Sequence, residues 1–168
     1  MTSVRTKKIL ITSLLFLVFL VAFVFVDNNS NSTRGNSRFV SDSVSVSEYR
    51  SAEVSFEQHR FRVLVADDES KRALGLGLLE NLDEWGGMLF VFEKPAKHSF
   101  WMKGMNFPID IFWLDQDGVI VFIQENAHPD DYPKMYQPDK NALYVLELTA
   151  GSSSQFNIQV GNQFGLSI

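Results

Sequence analysis

The sequence predicts a mainly β fold, a compact β-sandwich or barrel with one short helix, set after an N-terminal transmembrane helix. Two observations carry the β prediction: between Glu53 and Ile168 the apolar residues fall in short runs rich in β-branched and aromatic side chains, and turn-forming residues separate those runs. A third observation carries the membrane helix, the uncharged apolar run of 18 residues from Ile9 to Val26. At about 1.5 Å per residue such a helix spans roughly the hydrocarbon thickness of a bilayer.

Arg5, Lys7 and Lys8 precede the run and Asp27 follows it. The basic tip therefore stays cytoplasmic and the remainder is exported, giving residues 1–26 as a cytoplasmic tip and signal-anchor. The alternative is a secreted protein whose leader is cleaved, for which Ser30-Asn31-Ser32 is the nearest small-x-small site. The chain has no cysteine, which excludes disulfides, thiol catalysis, thiolate metal sites and lipid attachment through a thiol. Residues 27–52 are rich in Ser and Asn and lack hydrophobic periodicity, as a disordered linker would. Residues 53–168 then suffice for one domain and are too few for two.

Within that domain, Glu53–Glu57 and Arg60–Ala66 alternate around Gln58-His59 as a hairpin. Asp67 or Asp68 caps a short helix through Lys71–Leu74 that Gly75 and Gly77 end. Strand-like runs follow at Gly87–Phe92, His98–Lys103, Ile109–Leu114, Val119–Glu125 and Leu143–Leu148. Asp115-Gln116-Asp117-Gly118 is a hairpin turn, Gly104–Pro108 makes the bend before it, and Phe156–Ile168 adds one or two closing strands.

Charge limits the partners. Outside the leader, 12 Lys and Arg face 20 Asp and Glu, with no basic stripe interleaved with aromatics. Nucleic acid and anionic head groups are therefore disfavoured as ligands of the domain.

Several motifs occur in a telling order: Arg72-x-x-Gly75-Leu76, Gly87-Met88-Leu89-Phe90, Trp101-Met102-Lys103, Pro108–Asp115 and Tyr144–Gly151. Together they resemble the signature of the family called domain of unknown function 192, over roughly Phe61–Gly161. The resemblance implies a small, mostly β, often exported domain with no assigned activity. Where that family commonly has Asn-Thr after the lysine, this chain has Gly104-Met105.

The candidate chemistry is sparse. Asp110 lies in an apolar strand with Phe112 and Leu114 on its own face, and a buried carboxylate needs a cation, donors or a proton. Lys103 is the nearest base in sequence. The competing reading is that Asp110 only accepts backbone hydrogen bonds from the bend. Glu147, within Tyr144–Leu148, poses the same puzzle; were the two acids to converge, they could act as an acid and base pair or as metal ligands. His98, Met102 and Met105, with Met88, form a thioether and imidazole set of the kind that suits copper, although Met among aromatics is usually core filler. His59 and His128 lack zinc spacing. The long connection Ala127–Asn141 offers Tyr132 and Tyr136 for stacking on a sugar or a partner, or simply packs on itself. No nucleophile elbow, phosphate loop or dinucleotide fingerprint occurs, and no cofactor is called for.

The sequence thus points to a membrane-tethered extracytoplasmic domain that binds a small molecule or an envelope protein, with Lys103, Asp110, Glu147, Tyr132 and Tyr136 as candidate ligand-binding residues. One alternative is an envelope hydrolase or lyase using Asp110 and Glu147. Another is a structural partner in an envelope complex.

Overall fold

The computed structural model describes residues 45–168. The predicted span Ile9–Val26 and most of the predicted linker lie outside the described residues, among which no helix is long and apolar enough to cross a membrane. The packed domain reaches back beyond Glu53. A 3-10 turn at Val46–Glu48 leads to Tyr49, which is buried in the core and whose hydroxyl donates to the Lys71 carbonyl at 3.4 Å. Val46 packs on the same core, and the Arg50 side chain pairs with Asp67 at 2.9 Å, so several contacts hold this Ser-rich stretch.

Strands β1 (Ser51–Phe56) and β2 (His59–Ala66) form the predicted hairpin, with Phe56 opposite His59. The turn falls one residue earlier than the alternation suggested, on Glu57-Gln58, and Glu57 adopts a positive φ of 52°. Helix α1 (Glu69–Leu74) is capped by Asp68, whose carboxylate accepts from the Lys71 amide at 2.8 Å, and it ends at Gly75 with φ 54°. A 3-10 turn (Gly75–Leu78) follows. This crossover lets β3 (Gly87–Ala96) pair parallel to β2, an arrangement that no tight turn could connect.

The remaining strands are β4 (Phe100–Trp101), β5 (Ile109–Leu114), β6 (Ile120–Ala127), β7 (Met135–Tyr136), β8 (Ala142–Thr149) and β9 (Gly165–Ser167). Seven of them make one mixed sheet in the order β6-β5-β8-β3-β2-β1-β9, and β4 pairs with β7 in a small second sheet. A one-turn helix, α2 (Ser152–Gln155), stands just ahead of the segment where one or two strands were expected; the Gly151 turn before it exposes amides that a buried side chain takes up. Only β9 forms beyond it, on the edge of β1. Immediately before β9, Gln163 bridges Val119, and the Ile120 amide donates to the Asn162 carbonyl at 2.8 Å. The C-terminal segment therefore touches both ends of the main sheet.

Alternation along the central strands builds two cores. Leu64, Met88, Phe90, Ile109, Ile111, Trp113 and Val145 share one face with Leu76, Met102 and Tyr136. Val63, Leu89, Phe112, Leu114, Leu146 and Leu148 share the other with Ile158 and Phe164. Gly87 allows the central strands to close up, since a Cβ there would lie 1.9 Å from the Glu147 carbonyl oxygen.

Candidate functional site

Two acids occupy the middle of the sheet, and period two sends them to opposite sides. On β5 Asp110 shares the face of Phe112 and Leu114, and on β8 Glu147 shares the face of Val145. In register, Asp110 stands opposite Leu148 and Glu147 opposite Ile111. The two do not converge, so they cannot serve one substrate as an acid and base pair.

Asp110 is wholly buried and fully engaged. Its Oδ1 accepts from the Asn126 amide at 2.8 Å, and its Oδ2 accepts from the Ser153 amide and hydroxyl, both at 2.8 Å. Its donors come from the end of β6 and from α2, not from Lys103 or the Gly104–Pro108 bend. Asp110 thus ties two turns to the sheet, and both of its oxygens are already bonded within the fold.

Glu147 is the opposite case. It is buried on both flanks, by Met88 of β3 and Ile111 of β5, and its Oε2 has no hydrogen-bond partner among the described residues. Burial alone pushes its carboxyl up to about 8, so it holds its proton at neutral pH. It forms part of the wall of a half-open cavity of about 300 Å³ lined by α1, the turn after it, β3 and β4. That size is at the small end of ligand pockets.

The rest of the cavity is built from aromatic rings and two cations. Phe100 meets Phe90 edge-on at 4.8 Å and Trp113 at 5.8 Å, which fixes its ring. Phe92 stacks on His98 with centroids 3.5 Å apart. Arg72 reaches over from α1, its Nη1 donating to the Val91 carbonyl at 2.9 Å and its guanidinium lying 5.2 Å from the Phe92 ring centre. Lys103 extends from the end of β4 with Nζ 5.4 Å from the Trp101 ring centre. Among the described residues, neither cation has a carboxylate within salt-bridge distance. Glu69, Trp101 and Met105 complete the rim.

Of the residues singled out from sequence, the cavity therefore brings together Lys103, Glu147 and Met105 and leaves out the others. Tyr136 is buried, its hydroxyl donating to Asp131 at 2.5 Å, and burial with that bond pushes it up to about 12. Tyr132 is exposed and edges onto Trp101 with ring centres 6.0 Å apart, outside the cavity lining. Met102 is packed in the core, and burial lowers the His98 imidazole below its ordinary value. Among the described residues no group of three His, Asp or Glu side chains could hold a metal ion. The connection Ala127–Asn141 is pinned, not open: it carries a 3-10 turn at Pro129–Asp131 and β7, and Gln137 donates to the Lys97 carbonyl at 2.8 Å. Arg72, Phe92, Phe100 and Trp101 went unrecognised as site residues, although Arg72 and Trp101 stand inside the motifs quoted above.

A family model of uncharacterised proteins, DUF192, matches residues 52–166. The chain belongs to the DUF192 family. Two solved structures resemble it: a supposed transcription regulator from Sinorhizobium meliloti 1021, and a protein of unknown function from Novosphingobium aromaticivorans DSM 12444. The first is 29% identical with a TM-score of 0.65, covering 70% of this chain and 95% of its own. The second is 25% identical with a TM-score of 0.61, covering 70% and 84%. None of the curated proteins matches the chain. The motifs of this DUF192 domain contribute to the cavity lining: the Arg72–Leu76 segment supplies one wall, the Gly87–Phe90 motif contributes Phe90, and the Trp-Met-Lys motif with the residue before it contributes Phe100, Trp101 and Lys103.

Proposed function

We propose that this DUF192 domain is a ligand-binding module of the cell envelope, tethered to the membrane through Ile9–Val26 with the domain on the extracytoplasmic side. Its binding site is the cavity that Glu147 faces. The observation that carries this reading is the Oε2 atom of Glu147, buried with no partner among the described residues beside a largely apolar cavity. Folded proteins satisfy nearly all buried polar groups, and an unsatisfied one marks a place where something else supplies the bond. The tether reading rests on the uncharged apolar run and its basic N-terminal flank. We read the main sheet, whose two ends meet through Gln163 and Val119, as a barrel-like shell that holds the cavity on its outer face.

The test is thermal unfolding of the full chain against a panel of sugars, small carboxylates and monocyclic apolar compounds, with Ala73→Trp as a variant that fills the cavity from α1. A compound that raises the wild-type midpoint and leaves the variant unmoved supports the reading. Equal shifts in both proteins remove it.

A second reading, a surface for an envelope protein, is favoured by one observation. Trp101, Tyr132 and Met135 are all about half exposed beside the cavity mouth.

A further inference from the structure

Resting on the binding reading above, we propose that the cavity selects a small organic anion with a flat apolar body, its charged group at Arg72 and Lys103 and an uncharged oxygen acceptor at the inner end against Glu147. Each part of that description follows from a different part of the wall. At the inner end, Met88 and Ile111 flank Glu147 across the strands, and neither can bond its carboxyl. A protonated carboxyl in such a place offers an O–H, and the group that completes it is a carbonyl, ether or similar oxygen. A ligand carboxylate placed there would meet a group that favours neutrality in an apolar wall.

The middle of the cavity is aromatic. Phe90, Phe92 and Phe100 present ring surface that favours a flat apolar body, and about 300 Å³ admits a single ring and little more. At the mouth, Arg72 and Lys103 outnumber the one acid, Glu69. The Arg72 fork is held in place by its bond to Val91 and its position over Phe92, and it keeps further N–H donors for a ligand. An ammonium ligand would pair with Glu147 only at the expense of two cations at the entrance. The rim therefore favours an anion, and the interior favours its uncharged end. Glu69, Arg72 and Lys103 are the charged groups that share the cavity with Glu147.

Titration calorimetry on the full chain with three probes tests this: 4-acetylbenzoate, 4-isopropylbenzoate, which lacks the acceptor, and 4-acetylbenzyl alcohol, which lacks the charge. The first is expected to bind about tenfold more tightly than either of the others, since each lacks one hydrogen-bonded or charged contact. In wild type, its affinity should fall between about pH 7 and about pH 9 as Glu147 ionises, whereas Glu147→Gln, which keeps a donor and cannot ionise, should bind evenly across that range. Lys103→Met should narrow the gap between the acid and the alcohol. Equal affinity for the three probes, a flat wild-type pH profile, or no binding of 4-acetylbenzoate at millimolar concentration overturns the proposal. If the probes bind without these preferences and Ala73→Trp abolishes that binding, the cavity reading stands and only the ligand class falls. Binding that Ala73→Trp leaves unchanged removes both.

Discussion

Asp110 and Glu147 lie on paired neighbouring strands and point to opposite sides of the same sheet, one with three hydrogen bonds and the other with a bare oxygen. Burial does not distinguish the two; their hydrogen bonding does. Both are buried, yet among the described residues only Asp110 has hydrogen-bond partners.

Asp110→Ala should destabilise the domain by about 3 kcal/mol, because it strands the buried amide and hydroxyl of Ser153 and frees the part-buried amide of Asn126. Urea unfolding measures the loss. Ligand binding in the cavity should survive in whatever fraction stays folded, since Asp110 faces the other core.

Glu147→Met should do the reverse and stabilise the fold by about 1–3 kcal/mol at neutral pH, by removing an unpaired polar atom while keeping the volume. The sign with pH follows from linkage. Glu147 titrates near 8 in the folded chain against an ordinary value of 4.5, so the folded state binds the extra proton between the two. Wild-type stability should fall as pH rises through that window and level off above it. Glu147→Gln should lack this decline, and the gap between the two proteins, read by urea unfolding at several pH values, should widen from acid to alkaline conditions.

Gly87→Ala should cost more than 3 kcal/mol, as a rough figure for forcing strands apart in a packed core. The added methyl would collide with the backbone of β8 at the Glu147 carbonyl. Circular dichroism melts check it, and a melt unchanged from wild type would mean that β3 and β8 are not as close as described.

The segment Pro129–Tyr136 is held by Asp131, which accepts from the Tyr136 hydroxyl and the His128 amide, and these bonds lower its carboxyl below the ordinary value. A depressed carboxyl stabilises above its unfolded value and loses that contribution as pH falls through the folded one. Amide protection factors in Tyr132–Tyr136, taken relative to the intrinsic exchange rate at each pH, should therefore fall in acid in wild type, and Asp131→Asn should show the lower protection at neutral pH already.

The strands were legible because their chemistry is local. The alternation of β1 and β2, the Asp68 cap and the Asp115–Gly118 turn are all decided by neighbours within a few residues. What escaped was non-local. The parallel pairing of β3 with β2 depends on a crossover whose path no periodicity encodes, and β4 and β7 are two-residue strands that exist only because they find each other. The same holds for the site. Asp110 and Glu147 were visible as acids in apolar strands, but which had partners depended on Asn126 and Ser153, 16 and 43 residues from Asp110. Arg72 was legible as part of a motif, and its place at a cavity mouth came only from the turn of α1 toward Phe92.

The pairing of β1 with β9 has a temporal meaning as well. Strand β1 has one edge covered by β2 and waits for Gly165–Ser167, far along the chain, to cover the other. During synthesis, until Gly165–Ser167 emerges, Val54 and its neighbours present a free edge to any other extended peptide. A chain interrupted before Gly165 would keep nearly all of its core and still offer that edge to its own copies.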